Sequence, residues 1–155
     1  MSLDRIELTL RSVLGVVVAL LLSAIAAICF LEVILRYLFA ASLSWYDELV
    51  GYILVWLTFL GAVLAQSCGE HIGIGDLVDR APAWLRRALE LARHAVLVAI
   101  HLVLLIYGTD LAVRFLGEGA SSFPLPMGVV YGVIPLSAAL MLVVETVRIA
   151  RTIRA

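Results

Sequence analysis

Four apolar blocks, separated by short polar stretches, set the plan of this chain. They run from Val13 to Leu31, Leu49 to Ala65, Ala95 to Val113 and Met127 to Val144. Each comes close to the roughly 20 residues that an α-helix needs to cross a bilayer core. The block ends carry helix signals. Ser44 is placed to cap the second block, with Asp47 and Glu48 in its first turn, where acids suit the helix dipole. Pro82 suits the start of the third. The pattern predicts an all-α polytopic membrane protein with four transmembrane helices, over about 12–40, 45–66, 83–116 and 125–150, forming one membrane domain across 1–155. A cleaved signal peptide is a poor account of the first block, because such apolar stretches run to only about 7–15 residues.

Composition strengthens this reading. Of 155 residues, 64% are hydrophobic and 15% charged, with a mean hydropathy of +1.12. A soluble domain of this size could not hide so much apolar surface. The lipid bilayer is therefore the expected surroundings. A net charge of −1 gives no bulk attraction to nucleic acid. Cys29 and Cys68 stand at opposite ends of their segments without metal-ligand spacing, and read as small buried thiols.

All 11 basic residues are arginines, and their distribution predicts orientation. With the N-terminus inside, nine arginines lie on the cytoplasmic side and two, Arg36 and Arg114, outside. Both termini are then cytoplasmic. The Trp45-Tyr46-Asp47-Glu48 element faces outward, and the polar stretch Gln66 to Pro82 faces inward.

Several groupings could carry function. Glu32, Arg36, Asp47, Glu48, Asp110 and Arg114 all fall near the outer boundary, and read either as an ion network joining three helix ends or as a docking surface. Acid–base catalysis there lacks a nucleophile or metal-binding set. Trp45 suits the membrane interface, whereas Trp56 lies about two turns deep and is expected to pack on a neighbouring helix. The inner stretch holds Glu70, His71, Asp76 and Asp79, read as capping and loop-anchoring groups or, less simply, as metal ligands. His94 and His101, seven apart, share a helix face. Haem ligation would require a partner from a facing helix, so a packed His101 is the simpler reading. Gly15, Ala19, Ser23 and Ala27 form one small-residue stripe and Gly128 and Gly132 another, with a kink expected at Pro135. The block centres carry no charge apart from His101 and no broken-helix pair of the transporter kind.

Taken in order, the landmarks from Arg36 to Pro82 resemble a known family. They are Arg36-Tyr37 after the first helix, Trp45 followed by Asp47 and Glu48, Trp56 followed by Phe59-Leu60-Gly61-Ala62, then His71-Ile72 and Pro82. With four helices and both ends inside, the chain resembles the small membrane subunit of tripartite ATP-independent periplasmic (TRAP) transporters. It departs from that pattern at Gly51, where the family often has Arg. It departs again at Gln66-Ser67-Cys68, where basic residues are common, and at Gly75, where an Asp is expected and Asp76 stands beside it.

The resemblance implies a non-catalytic scaffold subunit of a binding-protein-dependent secondary transporter, multi-pass in the bacterial inner membrane. Its partners would be a large multi-helix membrane subunit and a periplasmic substrate-binding protein. The cargo would be organic acids such as dicarboxylates. No cofactor is implied for this chain, sodium coupling being expected in the large subunit. Arg36, Trp45, Asp47, Glu48, Trp56, His71, Asp76 and Arg114 would be interface or structural positions. The alternatives are a haem-binding membrane anchor of a redox complex, using His101, and a lipid-modifying enzyme using Asp47 and Glu48.

Overall fold

The computed structural model describes residues 3–41, 44–68, 82–122 and 124–154. His71 and Asp76, together with Glu70 and Asp79, lie outside the described residues. The helices are α1 (Leu3–Leu38), α2 (Tyr46–Cys68), α3 (Ala83–Arg114), a short α4 (Met127–Tyr131) and α5 (Val133–Arg154), with a single 3-10 turn at Phe115–Gly117. Four segments are long and apolar enough to span a membrane: Leu8–Leu38, Tyr46–Cys68, Ala88–Gly117 and Met127–Ala150. The protein is an all-α polytopic membrane protein.

The helices do not close into a square bundle. α1 packs on α2, α2 on α5, and α5 on α3. The row therefore has α1 at one edge and α3 at the other. α1 is barely covered, and Leu14 and Glu32 are its buried residues among those described. Its Leu10, Leu14, Val17, Val18 and Leu21 meet Leu60, Val63, Val133 and Met141 in the apolar core. The small stripe turns away from this contact: Ala19, Ser23 and Ala27 are exposed, and nothing lies near the Gly15 Cα. In lipid, small residues promote contact only where a second helix meets them, and among the described residues none packs on this stripe.

α3 shows its buried face as a heptad seam. His94, His101 and Gly108 are buried at seven-residue spacing, the repeat that keeps one helix face against a neighbour. α4 and α5 bury Val130, Val133, Ser137, Ala138, Met141, Val144 and Glu145 between α2 and α3.

Glycine sets the closest approach. A Cβ at Gly128 would fall 2.5 Å from the Ala112 carbonyl oxygen and 2.8 Å from the Leu116 Cα. One at Gly108 would meet the Ile134 Cγ2 at 2.7 Å. Both positions thus need a residue with no side chain. The second stripe glycine, Gly132, instead marks the break between α4 and α5, its N–H still bonded to the Gly128 carbonyl. Pro135 follows, lacking an N–H to continue the ladder.

Candidate functional site

Each end of α2 carries a polar pin that fastens it to the α3–α5 part of the molecule. At the N-terminal end the pin is Glu48. Its carboxylate accepts from the Tyr52 hydroxyl at 2.5 Å, one turn along the same helix, and from the backbone N–H groups of Ser121 and Ser122 at 2.9 and 2.6 Å. Those serines sit in the connection between α3 and α4. That connection is tied by Ala120 N–H to Leu125 O, by Met127 N–H to Glu118 O and by an antiparallel bridge between Gly119 and Pro126. An ionised carboxylate is a strong acceptor for paired backbone donors, so Glu48 holds this turn against the start of α2. Phe115 and Tyr131 brace its base, ring edge to ring face at 5.2 Å.

Two arginines at this end pair with acids on their own helices. Arg36 pairs with Glu32 at 2.6 Å and Arg114 with Asp110 at 2.8 Å, each one turn apart. The i,i+4 spacing satisfies each arginine locally, and Glu48 accepts from the loop amides. Asp47 is exposed and Trp45 half-buried. Trp56 packs half-buried against the apolar core with Val55 and Phe59. The Tyr46 hydroxyl donates to the Cys29 sulfur at 3.3 Å, a polar contact between α1 and α2.

The second pin was not among the predicted site residues. Glu145 on α5 is fully buried at 0% exposure, with His94 and Gln66 each at 4%. Its Oε1 lies 2.5 Å from His94 Nδ1 on α3, and its Oε2 accepts from Gln66 Nε2 on α2 at 3.1 Å. Arg148, one turn on from Glu145, donates to the Gln66 backbone carbonyl. With Glu145 ionised, Nδ1 must carry the proton that bridges the pair. An isolated carboxylate could not persist at this depth, and here both oxygens are matched by donors from two other helices.

In the sequence Glu145 stands just past the fourth apolar block and His94 just before the third. The available signal was the register. Glu145 lies four, seven and eight positions after Met141, Ala138 and Ser137, on the same face of the helix, and His94 shares the face of His101.

The comparisons with known proteins agree with the landmark pattern. A family described as "Tripartite ATP-independent periplasmic transporters, DctQ component" matches residues 25–155. The chain belongs to this DctQ family. A Haemophilus influenzae protein provisionally named as a TRAP transporter small permease is 29% identical over 134 residues, covering 86% of this chain and 83% of that protein. A Vibrio cholerae protein, named C4-dicarboxylate TRAP transporter small permease protein DctQ, is 27% identical over 148 residues. That match covers 80% of this chain and 64% of the relative. This DctQ-family chain is a permease subunit of a TRAP-type transporter and a multi-pass protein of the inner membrane.

Proposed function

We propose that the chain is the non-catalytic scaffold subunit of a sodium-coupled TRAP system, packed against a large membrane subunit that carries substrate and sodium. The observation that supports this best is the open row of helices. α1 contributes a long apolar surface that the other described helices leave largely open, while buried Gln66, His94 and Glu145 are matched to one another in the second pin. Partner packing would use the face that the fold leaves free. Among the described residues, Glu32 and Asp110 are paired along their helices and Glu145 is buried in contact with His94.

The arginine distribution supports cytoplasmic termini, so the Glu48 end would face the periplasm and a substrate-binding protein. The Vibrio relative's name suggests C4-dicarboxylates as one substrate class for such a system. A haem-anchor role for His101 has less support, since His94, the histidine on the same face, is engaged by Glu145.

The test is uptake of radiolabelled organic acids in cells that express the binding protein and large subunit with or without this chain. The reading expects sodium-dependent uptake that falls to background when the chain is deleted and returns on complementation. Uptake that is unchanged by the deletion would remove its basis.

A further inference from the structure

An ionisable residue deep in a membrane segment is, by default, a candidate for carrying an ion or proton. Glu145 lies in the spanning segment Met127–Ala150, near its end but fully buried among the helices, and the geometry around it points elsewhere. We propose that Gln66, His94 and Glu145 form a static register lock that holds α2, α3 and α5 in one axial alignment.

Both Glu145 oxygens are occupied by donors of the chain itself, at 2.5 and 3.1 Å. All three side chains are buried, and apolar Met141, Val144 and Val147 are buried on the same helix. A carrier site needs a carboxylate that can exchange its partner. This one is enclosed between two fixed ones.

A lock is also what the rest of the interface requires. In lipid, apolar helix faces gain little from one alignment over another, because tails and side chains are equally apolar. α4 is aligned on α3 by shape, through Gly128 against Ala112 and Leu116. α2 has no such notch: Cβ atoms at Gly51 and Gly61 would meet nothing within 4 Å. Its alignment with α5 rests on polar contacts. A slip of one helical turn moves the partners apart by about 5.4 Å, far beyond hydrogen-bond reach, and leaves a buried carboxylate, imidazole and amide unmatched. The polar triad therefore penalises each wrong register, as a single buried polar residue does in a coiled coil.

The test uses the full chain in native membranes, with Cys29→Ser and Cys68→Ser as background. Val63→Cys on α2 is combined in turn with Ser137→Cys, Ala138→Cys, Met141→Cys and Val144→Cys on α5, and disulfide formation is measured. The intact triad should give one dominant crosslink. Gln66→Leu/His94→Leu/Glu145→Leu together should spread crosslinking to positions one turn away. Glu145→Leu alone should lower the melting temperature in detergent, and the triple variant should recover much of that loss, because it leaves no polar group unmatched.

A triple variant that keeps the single dominant crosslink would overturn the lock. So would Glu145→Gln abolishing organic-acid uptake with the crosslink pattern and protein level unchanged, since that behaviour belongs to a carrier. The crosslinking needs no partner protein, and its outcome stands apart from the transport reading.

Discussion

Glu48 and Ser122 are 74 positions apart, yet the carboxylate of one accepts the backbone N–H of the other at 2.6 Å. Together with the bond from Ser121, this ties the first turn of α2 to the connection between α3 and α4. Replacing Glu48 with Ala removes the acceptor and frees both amides. Hydrogen exchange at Ser121 and Ser122 should then quicken by on the order of tenfold, while exchange in the centre of α3 stays unchanged. Glu48→Gln keeps a carbonyl acceptor without the charge and should fall between the two.

Gly128 meets the α3 backbone, which cannot give way as a flexible side chain can. Gly128→Ala should therefore destabilise the protein by about 1–3 kcal/mol, the usual range for overpacking. Gly61→Ala, with open space around its Cα, serves as the control and should be neutral or slightly stabilising. Thermal unfolding in mild detergent compares them.

The end of α1 contains a non-glycine residue in the left-handed region, Ala40 at φ 49°. The N–H groups of Phe39 and Ala41 both bond back to the Leu35 carbonyl there. Helices commonly stop this way with Gly, which avoids the roughly 1 kcal/mol that a Cβ costs in that conformation. Ala40→Gly is expected to raise stability by about that amount in the same unfolding assay.

The four spanning helices could be read from the chain because a bilayer demands long apolar runs, and such runs are visible in one dimension. So could the pairs Glu32–Arg36 and Asp110–Arg114, since their partners are one turn away. The two pins could not. Glu48 is held by backbone amides, which leave no mark in the residue sequence. Glu145 finds His94 across 51 positions, and nothing local distinguishes it from a solvated acid at a helix end. What Glu145 shares with the core is its register on α5, a feature that acquires meaning only once α3 is laid beside it.

Orientation rests on the arginine count and is open to direct measurement. Reporter fusions at Ser42 should give periplasmic activity and fusions at Asp79 cytoplasmic activity. The reverse pattern would place the Glu48 end in the cytoplasm and end its candidacy as a face for the binding protein.

The central claim is that this chain works as a scaffold on a larger membrane subunit, and co-purification measures that most directly. The tagged chain, co-expressed with its large TRAP subunit and extracted in mild detergent, should bring that subunit down in a fixed ratio. A bulky residue on the uncovered face of α1, such as Ala19→Trp, should weaken the complex without unfolding the chain. Recovery of the tagged chain alone, folded and at full yield with the large subunit left in the unbound fraction, would contradict the account.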